Sequence, residues 1–209
     1  MPEITIGSSS LFERITAEEV WSCTTCKACD EICPVNIEIL DKILDMRRYL
    51  SLMESNFRPS WAAPTRHGEL RQPVGHEPER PRVDRQGRRR PDSGRLQRPS
   101  TTVPVLGWFA GSFDDKNQKV TQALASSCSA GVDFAILGPS ENCTGDPARR
   151  SGNEYIFQML AMQNIETLDG MGVRKIITQC PHCFNTLLNE YPQLGGHYEV
   201  VHHSQFLGG

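Results

Sequence analysis

The stretch "CTTCKACDEICPV", residues 23–35, places four cysteines, Cys23, Cys26, Cys29 and Cys33, within eleven positions and follows the last with Pro34. A polynuclear metal centre needs thiolates at separate corners, and steps of three residues around a tight loop deliver three of them without long-range assembly. The small side chains between them, Thr24, Thr25 and Ala28, let backbone amides approach the sulfurs. Those amides, with Lys27, offset buried negative charge. The flanks read as helices. "ITAEEVW" opens with Thr16 as N-cap and Glu19 three residues on, a capping box. After Pro34, "VNIEILDKILDMRRYLSLM" spaces Ile37, Leu40, Ile43 or Leu44, and Leu50 at helical intervals. The run is therefore a wrapped loop between two helices.

The spacing C-x2-C-x2-C-x3-C-P matches the bacterial ferredoxin run residue for residue. Zinc would want two separated C-x2-C knuckles, or histidines, and no second knuckle lies within the usual distance. A dithiol redox site would leave two further cysteines unexplained. In two-cluster ferredoxins the proline-marked cysteine ligates the other cluster, and this chain holds one such run. Either Cys33 closes the local cage or it points to a neighbouring cluster whose remaining ligands lie elsewhere.

With 209 residues, 38% of them hydrophobic, the chain can form two small units with residues left over for linkers. Its net charge of −3 gives no general argument for nucleic acid. No apolar run approaches the ~20 residues needed to cross a bilayer. The N-terminus "MPEITIGSSS" lacks a basic n-region and an apolar h-region, which predicts a cytoplasmic, reducing setting in which eight cysteines mean metal rather than disulfides.

The even charge conceals an asymmetry. Residues 57–100 hold 11 of the 22 basic residues, all arginine, against 5 acids. So many prolines and so few apolar residues predict an unfolded Arg/Pro-rich linker over 57–103. Between Arg58 and Ser100 there is no Lys, Ile, Asn, Tyr, Phe or Met. A reading-frame slip in a GC-rich gene would produce the same composition.

From Val103 strands and helices alternate. "TVPVLGW", "VDFAIL", "VRKIIT" and "YEVVH" read as strands, and "DDKNQKVTQALASSC", "GNEYIFQMLAMQNIETL" and "FNTLLNEY" as helices. The expected fold is an α/β C-terminal domain, a parallel sheet with helical crossovers over 104–209, preceded by a small, mainly helical ferredoxin-type cluster domain over 1–56. Cys143 in "ENCTGDPARR" follows one predicted strand, and Cys180 and Cys183 in "CPHC" follow another. In open parallel sheets ligands collect at the carboxyl ends of strands, so these three cysteines are expected at one rim. "CPHC" also reads as a thiol–disulfide site at a helix start, but only 26 residues follow Cys183, too few for the rest of a thioredoxin-like fold. Cys128 is expected to be a packing residue, and His182, His202 and His203 solvated or core histidines.

Taken together, "WSCTTCKACDEICPVNIE", "DMRRYL", "AGSFDD", "CTGDPARRSGNEYIFQMLA", "CPHCFNTLLNEYPQ" and "YEVVHHSQFL" resemble the iron–sulfur reductases related to the B- and D-type components of heterodisulfide reductase. Within that group the chain is most similar to the membrane-bound electron-transfer-flavoprotein:menaquinone oxidoreductase type. The likeness covers residues 18–56 and 110–209. It implies a ferredoxin-type domain with two 4Fe-4S clusters feeding a cysteine-rich domain that holds another. Three departures stand out. The family's upstream cysteine run and membrane helices have no counterpart in this sequence; Phe109 stands where the family has a cysteine before "AGS"; and the C-C-G signature reads Cys143-Thr144-Gly145. Cys143, Cys180 and Cys183 thus remain as three thiolates where a cubane would take four ligands.

The resemblance implies a one-electron relay. Cys23, Cys26 and Cys29 would hold the entry cluster, Cys33 its fourth corner or its neighbour, and Cys143, Cys180 and Cys183 the terminal cluster. The donor would be a flavoprotein (an electron-transfer flavoprotein or a dehydrogenase) and the acceptor a quinone or disulfide. The parent protein would lie on the cytoplasmic face of the plasma membrane beside a quinone site or membrane subunit. No nucleic-acid partner is expected, and no residue is an obvious acid–base catalyst. The competing readings are a non-catalytic metal-binding fragment and a thiol–disulfide protein working through "CPHC".

Overall fold

The computed structural model describes residues 11–56, 105–106, 119, 135, 137 and 141–208. They divide into two compact units. The first joins the N-terminal stretch to Pro147–Glu154; the second joins the described residues between His67 and Asp146 to those from Tyr155 onward. The expected linker, most of the helix expected over 114–128, Phe109 and Cys128 lie outside the described residues.

The first unit is helical: α1 (Leu11–Arg14), α2 (Ala17–Ser22), the single turn α3 (Ala28–Glu31) and α4 (Ile39–Leu52). The capping box at the start of α2 is formed, with the Thr16 hydroxyl accepting from Glu19 N at 3.3 Å and Thr16 N donating to Glu19 Oε2 at 2.7 Å. Leu40, Leu44, Arg47 and Leu50 lie buried along α4 at steps of three or four residues, with Ser51 four beyond Arg47, and so share one face. Full burial of each leucine is worth about 1.5–3 kcal/mol. Ile37 departs from the predicted stripe. It precedes the helix and is half exposed, because Asn36 is left-handed at φ 53 and the chain there still wraps Cys33.

Against α4 runs the second stretch of this unit. Ser51 Oγ donates to the Ser151 carbonyl at 2.6 Å, and Arg48 pairs with Glu154 at 3.1 Å. Gly152 makes the approach possible: at φ +78, a Cβ there would collide with the backbone carbonyl of Arg47.

The second unit contains three parallel strands in the order β1 (Val105–Leu106), β2 (Lys175–Thr178) and β3 (Glu199–His202). Ile176 pairs with Val105 on one side and Val200 on the other. Ile176, Ile177 and Thr178 are all fully buried, the continuous pattern of a strand covered on both faces. Of the strand expected over 132–137, Ala135 and Leu137 are described, both buried. Before β2 in the chain come α5 (Asp146–Arg150), which after Asp146 belongs to the first unit, and α6 (Glu154–Gly170), which after Glu154 belongs to the second. The helix predicted over "FNTLLNEY" is broken up. A short α7 (Pro181–Asn185) with Pro181 in its first turn gives way to a π-helical turn, Thr186–Glu190, and a 3-10 turn, Tyr191–Leu194. Pro192 ends regular helix there, since it lacks the N–H the next turn would need. Beyond β3 lies α8 (His203–Gly208). Among the described residues no helix is long and apolar enough to cross a membrane.

Candidate functional site

Within the first unit the cysteine run winds between α2 and α4 with Cys29 in the α3 turn. Thr25 and Lys27 adopt left-handed φ values of 58 and 62, and Asn36 one of 53. For non-glycine residues such a conformation costs about 1–2 kcal/mol each, and a cluster of them marks a loop held for a purpose. Here the winding turns amides onto sulfur. Thr25 N–H donates to Cys23 Sγ at 3.4 Å and Ile37 N–H to Cys33 Sγ at 3.3 Å. The Ala28 N–H, helped by the Thr24 side chain, lowers the pKa of exposed Cys26. Cys29 moves the other way, raised by desolvation and by the Asp30 carboxylate, to which its thiol donates at 3.5 Å.

Asp30 has a second task, which the sequence reading missed. Its Oδ1 accepts the Leu40 N–H at 3.0 Å, so the cysteine turn caps α4 from ten residues upstream while Glu38, at the N-cap position, makes no capping bond. That bond holds the Asp30 carboxyl below its ordinary pKa.

In the second unit Cys180 follows the carboxyl end of β2 and begins α7, and Cys183 is one turn further along. Cys180 and Cys183 are close enough for each to shift the other's acidity, and Cys143 is near enough to act on Cys183. Thr144, in the second position of the Cys143-Thr144-Gly145 signature, donates its hydroxyl to Cys183 Sγ at 3.7 Å. The three cysteines predicted to share a rim are thus brought together, with Cys143 and Cys183 buried and Cys180 half-buried.

Their acidities differ because their surroundings do. Burial pushes Cys143 up to about 12 despite the Gly145 N–H, which donates to its sulfur at 3.4 Å. Cys180 is pulled down to about 6, first by the Cys183 thiol and then, against desolvation, by the Cys183 and His182 N–H groups at the helix start. Cys183, beside the Cys180 thiol and buried, is raised.

The Cys143 loop is held from below by a buried polar network. Asn164 Nδ2 donates to the Cys143 carbonyl at 2.8 Å and to Tyr191 Oη at 3.0 Å, and the Tyr191 hydroxyl donates to the Thr144 carbonyl at 3.1 Å. From the side, buried Asp146 accepts from Thr186 Oγ1 at 3.1 Å and pairs with His182 Nδ1 at 3.2 Å, tying the loop to the "CPHC" segment. None of these partners was singled out from sequence as supporting the loop. Asn164 carried a signal, since it falls on the same buried face of α6 as Phe157, Leu160, Ala161 and Leu168. A polar residue there needs a partner.

Of the histidines, His182 is exposed with Nδ1 beside the Asp146 carboxylate, whereas His202 places Nε2 at 3.1 Å from the Gln179 carbonyl and Nδ1 at 2.7 Å from Ser204 Oγ. Among the described residues no three His, Cys, Asp or Glu side chains converge on a point suited to one metal ion. A cubane cluster asks for something else: thiolates spread around its corners and amides turned toward them. Both cysteine sets have such amides, from Thr25, Ile37 and Gly145. In the chemistry of its donors, cysteine sulfur with backbone N–H groups turned toward it, the chain fits a cluster.

Residues 108–188 match the family model of the CCG cysteine-rich domain. Over 95% of its length the chain is 38% identical to EtfAB:quinone oxidoreductase of Syntrophomonas wolfei, and over 95% it is 39% identical to "Probable iron-sulfur-binding oxidoreductase FadF" of Bacillus subtilis. It spans 29% of each of those proteins. The D-type component of dihydromethanophenazine:CoB–CoM heterodisulfide reductase from Methanosarcina barkeri is 28% identical over 91% of the chain and 46% of its own length. No solved structure matches. Residues 108–188 thus match the CCG cysteine-rich domain, and the chain as a whole is similar to iron–sulfur-binding oxidoreductases.

Proposed function

We propose that this chain is the cluster-bearing part of an iron–sulfur electron-transfer oxidoreductase. In this reading Cys23, Cys26, Cys29 and Cys33 hold one 4Fe-4S cluster in a ferredoxin-type domain, and Cys143, Cys180 and Cys183 hold a second in an α/β cysteine-rich domain. The observation that carries it is the aim of backbone amides at cysteine sulfur in both sets: Thr25 to Cys23, Ile37 to Cys33 and Gly145 to Cys143. An N–H donated to a thiolate stabilises added negative charge and so favours a site that takes up electrons. When bound, a cluster supplies one-electron chemistry that side chains cannot. The residues around it orient the thiolates, keep water from Cys143 and Cys183, and set the local charge. Electrons would come from a flavoprotein and pass toward a quinone or a disulfide, the parent protein acting at the cytoplasmic face of a membrane.

The test is anaerobic reconstitution of the whole chain with iron and sulfide, followed by EPR during reductive titration. Signals from two clusters with separate midpoints are expected. A chain that stays colourless and takes up only zinc sinks the reading. One observation favours a second reading. Cys180, half-buried at a helix start and drawn down to about 6, is poised as an attacking thiolate beside Cys183. Reversible Cys180–Cys183 disulfide formation in a chain that binds no iron would favour that thiol–disulfide role.

A further inference from the structure

Arg47 in "DMRRYL" is 4% exposed, unusual for an arginine. Its guanidinium reaches three main-chain carbonyls. Nε and Nη2 donate to Val20 O at 3.1 and 2.9 Å, Nη2 also to Cys23 O at 2.6 Å, and Nη1 to Arg150 O at 3.0 Å. Its Cζ lies 5.3 Å from the centre of the Trp21 ring. Two of those carbonyls belong to the point where α2 stops and the cysteine run begins. Cys23 is the C-cap of α2, extended at φ −63 and ψ 129, so the last carbonyls of the helix need donors from elsewhere. A planar fork supplies several in a fixed arrangement, which a lysine cannot. A positive charge at that end also suits the helix dipole.

We propose that Arg47 is the positioning residue of the N-terminal cysteine run. It fixes the carbonyl of Cys23 and hence the presentation of the first thiol, and its permanent positive charge favours the reduced state of what that run holds. The inference rests on the reading that Cys23, Cys26, Cys29 and Cys33 bind a cluster. Potentials of such centres follow net charge and hydrogen bonding nearby, so removing a buried cation lowers the midpoint.

The experiment uses the whole chain carrying Cys143→Ser, Cys180→Ser and Cys183→Ser, reconstituted anaerobically so that one cluster is read. Arg47→Met is compared with the parent and with Ser51→Ala, which removes another bond from α4 to the second stretch of the unit and touches no cysteine. Arg47→Met is expected to lower the reduced-to-oxidised ratio at fixed potential by about tenfold, a shift of about 59 mV for one electron, and to change the EPR line shape. Ser51→Ala should alter neither. An unmoved midpoint and line shape, with only thermal stability reduced, would overturn the proposal. Should Arg47→Met not fold, Arg47→Lys is read without iron: alkylation of Cys23 should accelerate several-fold relative to Cys33, and an equal change at both, or none, would count against it. If the parent binds no iron, the cluster reading fails while this labelling comparison still judges the positioning of Cys23.

Discussion

At the scale of single residues, the glycine of the Cys143-Thr144-Gly145 signature is the most exposed to test. Gly145 holds φ +86, and a Cβ there would lie 3.0 Å from Phe157 Cδ2 and 3.3 Å from its carbonyl oxygen. Gly145→Ala should therefore twist the amide that faces Cys143. Iron analysis of the reconstituted chain is expected to show loss of the C-terminal cluster and retention of the N-terminal one. The thiols make a second prediction. Without iron, Cys180 should alkylate before Cys143, its rate rising with pH around 6, while Cys143, held up at about 12 by burial, stays slow at neutral pH. Timed iodoacetamide labelling with peptide mass mapping checks this, and equal rates at the two positions would refute it. All seven cysteines expected as ligands were visible in the sequence from spacing and from their places after strands. Their supports were not. Asp30 acts on Leu40 and Asn164 on Cys143 across 10 and 21 residues, pairings that no local pattern encodes.

Among the elements, α4 ties the first unit together. Because the Leu40 N–H bond holds the Asp30 carboxyl below its unfolded value, near 4 for an aspartate, the cap is fully stabilising above that pH. Its contribution is lost as pH falls through the lower folded value. Glu19, lowered by its bonds to Thr16, adds the same sense at α2. Far-UV circular dichroism of the iron-free chain should then show steeper acid loss of helix in the parent than in Asp30→Asn. Coincident curves would remove Asp30 from the account. Gly152→Ala should lower the melting temperature, at a cost of at least about 1 kcal/mol, because both its φ and the Arg47 carbonyl exclude a side chain. The capping box, α6, β2 and β3 were all legible from local pattern. The broken helix after Asn185 was not, since apolar spacing alone cannot tell an α turn from a π turn.

For the molecule as a whole, two cysteine sets sit in two compact units, and each set has backbone amides aimed at its sulfurs. Membership of Pro147–Glu154 in the first unit was hidden from sequence, because the contacts that recruit it, from Arg47, Arg48 and Ser51, span about a hundred residues. Local periodicity reports neighbours along the chain, not partners at that separation. The central claim is that both sets hold iron. The measurement that bears on it most directly is iron and acid-labile sulfide per chain, after anaerobic reconstitution, in the parent and in the Cys143→Ser, Cys180→Ser, Cys183→Ser triple variant. The account predicts about eight irons in the parent and about four in the variant. No iron in the parent, or a content that the triple substitution leaves unchanged, would contradict it.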